Sequence, residues 1–372
     1  MSRPSSSAPS SASQTTTSPR RGTSVPASDL IGARLPRWAP YGSAVAGWAV
    51  AVGLKLLLGW TGWYTTFFTG AALFIICLTG WSFRVEGRRR AKDRFATTLI
   101  YTSFVCAIVP LVLILSYIAV KGLPLFSPDF FLKSMNGVTS RQQGGGIYAA
   151  LIGTLIIVGI ATVIALPIGI FTAIYLVEYG RGTFARAVTF FVDVMTGVPS
   201  IVAGLFVYTF LLLGFGMRPF GAAGAVALAI LMVPVSVRAS EEMLKLVPRD
   251  LREASYALGV PKWRTILKVV LPTAMSGLIT ASLLAVARVA GETAPLILLV
   301  GYTARINYNP FSGDMATLPM MVWDQLGKRS GTTSNDLTEA RAWGAALTLV
   351  LLVLILNVGA RLLAKLFQPK AR

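Results

Sequence analysis

The chain has 372 residues, of which 54% are hydrophobic and only 13% are charged, about half the ~25% charged fraction of an ordinary soluble domain. This composition excludes a soluble globular enzyme, a fibrous protein and a wholly disordered chain. The net charge of +19 is of a size that can indicate nucleic-acid binding. Here, however, Lys and Arg fall mainly between long apolar runs. The pattern therefore indicates a polytopic protein of the lipid bilayer, with no nucleic acid among its partners.

Two residue types limit the possible chemistry. The sequence contains no histidine, which excludes His metal ligands, His-based triads and His proton relays. Cys77 and Cys106 both lie inside apolar runs and are predicted to be reduced packing residues. We therefore expect no metal, no cofactor and no catalytic residues, so the chain is not predicted to be an enzyme.

Composition divides the chain into a tail and a set of spans. Residues 1–41 are rich in Ser, Thr and Pro and are predicted to form a disordered cytoplasmic tail. Beyond them, eight apolar runs are long enough to cross a hydrocarbon core of ~30 Å. We assign residues 42–95 to two N-terminal spans and a basic loop, and residues 96–372 to the main domain. The predicted spans are 42–59, 65–83, 97–119, 147–177, 188–216, 222–239, 273–299 and 342–364.

The distribution of Lys and Arg predicts the orientation of these spans, because basic residues concentrate in cytoplasmic loops. With a cytoplasmic N-terminus, the inside segments hold 24 Lys and Arg residues and the outside segments hold 8. We therefore expect a multi-pass protein with both termini in the cytoplasm.

One inside loop, within residues 240–272, has a helical pattern of its own. It contains the run EASYALGVPKWRTILKVVLP, residues 253–272. Apolar residues recur at helical spacing on both sides of Gly259 and Pro261, which punctuate the pattern. The loop is predicted to form two short helices that meet at a glycine turn and lie flat under the membrane, a shape suited to a groove on a soluble partner.

The same run resembles the EAA loop of ABC importer permeases, which docks on an ATP-hydrolysing subunit and transmits its motion. Ser255 replaces the third residue of the Glu-Ala-Ala group, and Val269 replaces an isoleucine. The sequence has no G-x-x-x-x-G-K-[ST] phosphate-binding loop, so ATP would be hydrolysed by a separate chain. The positions that match in place are Glu253, Ala254, Gly259, Leu271 and Pro272.

Three further runs resemble one branch of that family, the A-type permease of the bacterial phosphate-specific importer, PstA. They are GGIYAALIGTLIIVGIATVIALPIGIFTAIYLVEY at 145–179, MTGVPSIVAGL at 195–205 and ARVAGETAPLILL at 287–299. The resemblance implies an all-α, MetI-like permease bundle of a type I ABC importer in the bacterial plasma membrane, here with two extra N-terminal transmembrane helices and about eight spans. It also implies these partners: a C-type second permease subunit, two ATP-binding subunits, an extracytoplasmic phosphate-binding protein, and phosphate.

Arg288 and Glu292 are the candidate substrate-path residues. Arg288 lies 15 residues into the seventh predicted span, where a buried guanidinium must be paired or hydrated. Glu292 is four residues further on, which in a continuous helix would place it on the same face. One hypothesis is that Arg288 lines the anion path or gate and that Glu292 orients it; the alternative is a permanent ion pair that joins helices.

Four other polar residues are assigned structural roles. Asp193 is predicted to bond a neighbouring helix or Thr196, and Arg238 to be an interfacial anchor that could pair with Glu241 or Glu242. Glu178 and Tyr179 are expected to anchor the end of the fourth span at the interface.

Two rival functions remain open at this point. A permease for another oxyanion, such as sulfate or molybdate, would have the same general features. An ion-coupled secondary transporter is less favoured, because the spans hold few carboxylates and no visible inverted repeat.

Overall fold

The computed structural model describes residues 35–59, 61–328 and 335–366, and every regular element in these ranges is helical. The predicted all-α fold class is therefore confirmed. Residues 1–34 of the predicted tail lie outside the described residues. Its last residues, from Ala39, already belong to the first helix.

The chain divides into two compact units, residues 1–112 and 113–372. The first unit is a helical hairpin followed by most of a long third helix. In the hairpin, Gly47 lies so close to the partner helix that a Cβ there would be 2.8 Å from the backbone nitrogen of Phe74. Small residues permit such close packing in lipid. The helices are α1 (Ala39–Leu58), α2 (Trp63–Glu86) and α3 (Arg88–Gly122).

The first unit also contains a bidentate ion pair where α2 ends. The Glu86 carboxylate accepts hydrogen bonds from Arg94 Nε at 2.6 Å and Nη2 at 2.9 Å. It accepts two more from Leu35 N and Ser82 Oγ. The segment before α1, the end of α2 and the first turns of α3 therefore meet at one carboxylate.

The second unit contains the remaining helices, three of which continue in a wider π-helical turn. Its helices are α4 (Pro128–Leu132), α5 (Tyr148–Ile174, with the π turn Tyr175–Tyr179), α6 (Gly182–Thr196), α7 (Ser200–Val207, with the π turn Tyr208–Leu213), α8 (Gly221–Lys245), α9 (Arg249–Ala257), α10 (Lys262–Thr265, with the π turn Ile266–Val270), α11 (Leu271–Ala290), α12 (Ala294–Leu299), α13 (Leu318–Gly327) and α14 (Asn335–Leu366).

Within the described residues, seven helices are long and apolar enough to cross a membrane, and a bent helix pair brings the number to eight. This agrees with the predicted count, but two predicted spans need correction. The run 188–216 is not one straight span, because α6 and α7 meet at 105°. The run 273–299 ends as a helix at Ala290 and begins earlier, because α10, its π turn and α11 are continuous from Lys262.

Helix α8 is the centre of the second unit and packs against α5, α6 and α11. The first part of α8 has the sequence GAAGAVALA and consists almost entirely of small residues, most of which are buried. Small residues bring neighbouring backbones close together, which is how helices associate where lipid removes the hydrophobic driving force. At the α5 contact, a Cβ on Gly169 would be 2.4 Å from Ser236 Oγ.

The loop between α12 and α14 folds back onto the first turns of α5. Thr154 Oγ1 accepts a hydrogen bond of 2.8 Å from Leu318 N. Next to it, a Cβ on Gly153 would lie 1.9 Å from the carbonyl oxygen of Ala316. In the same loop, burial raises the pKa of Tyr302 above its ordinary value, and the charge of Asp324 adds to that shift.

Substitution Gly153→Ala tests this contact. We expect it to destabilise the purified protein by about 1–3 kcal/mol, because a backbone carbonyl must move to make room for the methyl group. Gly159→Ala on the same helix is the matched control, since no atom lies within 4 Å of its Cβ position. Thermal unfolding in detergent measures both, and equal midpoints for the two variants would contradict the packing described here.

Candidate functional site

The first break in the membrane helices lies between α6 and α7, at residues 197–199. Gly197 N donates to Val194 O at 3.1 Å and so closes the last turn of α6. Pro199 has an extended backbone with ψ of 139° and precedes the first residue of α7. Because proline also supplies no amide hydrogen, the chain turns by 105° here.

The second break lies between α11 and α12, at residues 291–293. Glu292 N donates to Val289 O at 3.0 Å, and Thr293 O accepts from Leu296 N at 3.1 Å. The helices that follow the two breaks pack directly on each other. A Cβ on Gly204 of α7 would be 2.8 Å from the Cα of Pro295 in α12.

A pocket of about 220 Å³ lies between the two breaks, and we call it the break pocket. One wall is the first break and its flanking turns, another is α8 around Pro234, and the third is the end of α11. Arg288, an exposed residue, and Glu292, a half-buried one, both line it. The lining residues are Met195, Thr196, Val198, Pro199, Ser200, Leu231, Pro234, Val235, Arg288, Val289 and Glu292.

Arg288 and Glu292 share the pocket, but within the described part of the chain they form no ion pair with each other. The expectation that four-residue spacing keeps them on one helical face is corrected, because α11 ends at Ala290. The pocket therefore presents a guanidinium whose donors are available to a ligand, next to a carboxylate. A guanidinium is well suited to bind an oxyanion through paired, charge-assisted hydrogen bonds.

An ionic network ties α6 to α8 just outside this pocket. Arg238 donates to Asp193 of α6 and, at 2.7 Å, to Glu241 of its own helix. Lys245 donates to the other oxygen of Glu241 at 2.7 Å. Asp193 therefore bonds a neighbouring helix, as predicted, and the predicted pairing of Arg238 with Glu241 is confirmed. Thr196 instead donates its hydroxyl to Val192 O.

The second candidate functional site, after the break pocket, is the elbow. It comprises residues 249–265 and is formed by α9, a tight turn and α10. At the turn, Gly259 has φ of +75°, a left-handed conformation that suits glycine. Ser255 Oγ and Thr265 Oγ1 lie 2.8 Å apart and join the two arms of the elbow. The predicted pair of helices at a glycine turn is thus observed, but the second arm is not a separate helix, because it continues into α11.

The coupling-loop residues singled out from the sequence, which extend from the elbow to the start of α11, differ in exposure. Glu253, Ala254 and Pro272 are exposed, Leu271 is half-buried, and Ser255 is buried in the contact between the arms. Large apolar side chains are also exposed around them, which marks a surface suited to a protein contact. These are Leu246, Leu251, Tyr256, Leu258, Trp263 and Leu267.

Sequence reasoning missed the role of Glu178, which it assigned as an interfacial anchor. Its side chain is only 5% exposed and forms an ion pair of 2.8 Å with Arg252 of the elbow. The two residues are 74 positions apart, so no local sequence pattern could reveal the contact.

Comparison with known proteins identifies the family. Residues 165–372 match the family described as binding-protein-dependent transport system inner membrane component. The chain is 48% identical over 277 residues to the phosphate transport system permease protein PstA 1 of Mycobacterium tuberculosis, a match that covers 74% of this chain and 90% of the relative. This chain belongs to the PstA permease family.

Other PstA proteins give matches of similar extent. Those of Mycobacterium leprae and Yersinia pestis are 46% and 39% identical over 275 and 277 residues, which is 74% of this chain in each case and 89% and 90% of the relatives. Among solved structures, an inward-facing MetNI methionine ABC transporter is similar with a TM-score of 0.46 and 21% identity, over 60% of this chain and 95% of that one. As a PstA family member, the protein is a non-catalytic, multi-pass inner-membrane permease subunit of an ABC importer, a class that works with ATPase and binding-protein partners.

Substitution at Gly259 tests the geometry of the PstA elbow. We expect Gly259→Ala to destabilise the turn by about 1–2 kcal/mol, because an L side chain is strained at this positive φ. Local opening would then speed amide exchange in residues 249–265 roughly five- to thirtyfold. Gly259→Asn is the matched control, because asparagine tolerates the left-handed region better than other side chains. Hydrogen–deuterium exchange measures both, and equal protection in the Ala and wild-type proteins would contradict the assigned turn.

Proposed function

We propose that this chain is the A-type permease subunit of an ATP-driven importer of inorganic phosphate. The observation that carries the proposal is the position of Arg288, a side chain suited to bind an oxyanion, in a pocket between two helix breaks. Phosphate is favoured over sulfate or molybdate because the relatives above are phosphate transport permeases at 39–48% identity.

In this proposal Arg288 lines the anion path at a gate. The break pocket, at about 220 Å³, could hold one partly dehydrated phosphate but not a large organic substrate. The guanidinium attracts the anion, while the carboxylate of Glu292 repels it and so limits how tightly phosphate is held. This balance suits transport, because conduction requires binding that favours entry and is still weak enough to permit release.

The elbow is assigned to coupling. Its exposed apolar residues and the exposed carboxylate of Glu253 would dock in a groove of an ATP-binding subunit. Two such subunits would serve this chain and a C-type partner permease, and a phosphate-binding protein would deliver the anion from the opposite side. With 24 basic residues on the elbow's side of the membrane and 8 on the other, we place the elbow and both termini in the cytoplasm.

The transport cycle would use the helix breaks as bending points. Motion of the ATP-binding subunits would move the elbow, which is continuous with α11 and hence with Arg288. The two breaks would let α7 and α12 tilt relative to α6 and α11, so that the break pocket alternates between the two sides. In the domain assignment we propose, residues 96–372 carry this machinery, and residues 42–95 are accessory.

Substitution Arg288→Gln tests the proposed site. We expect phosphate uptake to fall by roughly ten- to a hundredfold, the loss of one charge-assisted hydrogen-bonding group worth about 1.5–3 kcal/mol. Phosphate-stimulated ATPase activity should fall with it. Arg305→Gln is the matched control, an exposed arginine of the loop after α12. Uptake is measured as radiolabelled phosphate entering proteoliposomes that contain the full complex. If Arg288→Gln kept both phosphate uptake and phosphate-stimulated ATPase activity, the assignment of Arg288 would be wrong.

A further inference from the structure

The end of α5 is joined to both arms of the elbow through a single residue, Glu178. Its carboxylate oxygen Oε1 accepts two hydrogen bonds from Arg252 of α9, from Nε at 2.9 Å and from Nη2 at 2.8 Å. Its main-chain carbonyl accepts a third from Lys262 Nζ, at the start of α10. The same ammonium group lies 4.6 Å from the centroid of the Tyr179 ring.

Arg252 extends these contacts to α8. Its Nη1 donates to Val247 O at 2.6 Å, and its Nη2 donates to Leu244 O at 3.1 Å, at the point where α8 ends. One guanidinium thus joins the end of α5, the end of α8 and the first arm of the elbow. We call the contacts of Glu178, Arg252 and Lys262 the clamp.

The ion pair between Glu178 and Arg252 is largely buried, which distinguishes it from an ordinary surface ion pair. The side chains of Glu178 and Arg252 are 5% and 14% exposed. Exposed pairs contribute little because water and salt screen them, whereas a buried pair that loses one partner leaves an uncompensated charge in a poorly solvated site. The clamp therefore resists separation of the elbow from α5.

The backbone conformation at the end of α5 leaves the carbonyl of Glu178 free to accept the bond from Lys262. The last turn of α5, Tyr175–Tyr179, is a π turn, a widened turn that often marks functional positions. The final carbonyl groups of a helix have no partner within the helix, so the carbonyl of Glu178 is available to Lys262. The sequence thus provides two acceptors at one residue, one for each arm.

We propose that Glu178 is a positioning residue for energy coupling, which makes α5 move with the elbow. The inference rests on the proposed function and extends it. The elbow reaches Arg288 directly, because its second arm continues into α11. The clamp supplies a second route, because α5 packs along α8, and α8 carries Leu231 and Pro234 of the break pocket. A displacement of the elbow would then move both the α11 wall and the α8 wall of the pocket.

The first experiment measures the phosphate transported per ATP hydrolysed by the full complex in proteoliposomes. We expect Glu178→Gln to keep the ATP-binding subunit bound and basal ATPase activity intact, while this ratio falls at least roughly tenfold. The conservative variant Glu178→Asp, which keeps a carboxylate for Arg252, should retain a large part of it. Glu242→Gln is the matched control, an exposed carboxylate near the end of α8 that should keep the wild-type ratio.

An unchanged ratio in Glu178→Gln would overturn the inference, and so would a ratio in Glu178→Asp that falls as far as in Glu178→Gln. A wild-type complex that transports no phosphate would instead refute the proposed function. The two failures are therefore distinguishable.

A second measurement leaves the clamp intact and does not depend on how Glu178 variants fold. With Cys77 and Cys106 replaced by serine, cysteines are placed at Val177 and Arg249, which line one pocket from α5 and from the elbow. A short bifunctional thiol reagent then links them. If the elbow and α5 move together, the linked protein should keep at least half of its uptake. A block that reductive cleavage of the linker reverses would show independent motion and overturn the inference.

Discussion

Backbone amide and carbonyl groups cannot remain unpaired in hydrocarbon, so a chain of this composition must be helical wherever lipid touches it. Non-helical backbone is tolerated at membrane depth only where protein or a water-filled cavity surrounds it. Here residues 197–199 and 291–293 interrupt the helices, and both interruptions border one pocket. Placing the two breaks side by side lets the protein keep bending points inside the bilayer, and the pocket between them is the consequence.

Close packing around α8 holds those breaks in place. The small residues of α8 let α5, α6 and α11 approach it, and Gly204 of α7 lies directly against Pro295 of α12. Ionic contacts then fix the ends of these helices, with Arg238 joining α6 to α8 and Arg252 joining α5, α8 and the elbow. In the proposed function, the breaks bend while the helices around them stay in register. A permease that changes its accessible side needs this combination.

Much of the fold could be predicted from the sequence, because apolar length determines membrane spans and Gly259 with Pro261 marks the elbow turn. The elbow residues were found because their spacing is local. The 105° bend was missed although Gly197 and Pro199 carry the signal of a turn. Within a long apolar run, that signal also fits a kinked continuous span, and only packing against α12 decides between the two.

The candidate site was predictable only in part, because packing between distant segments decides where its helices end. Arg288 stands out as a charge in an apolar run, but its spatial relation to Glu292 depends on where α11 ends. The helix stops at Ala290, so periodicity no longer describes the next residues. The clamp joins positions 74 and 84 residues apart, and no local pattern encodes such a contact.

The most direct test of the account is the distance across the breaks during the nucleotide cycle. Spin labels at Phe184 of α6 and Phe206 of α7, which lie on opposite sides of the first break and are 67% and 60% exposed, report this distance by pulsed electron paramagnetic resonance in the reconstituted complex. The account predicts that the distance changes by roughly 5 Å between the ATP-bound and nucleotide-free states, the size of a one-turn helix displacement. An identical distance in every nucleotide state, in a complex that still imports phosphate, would contradict it.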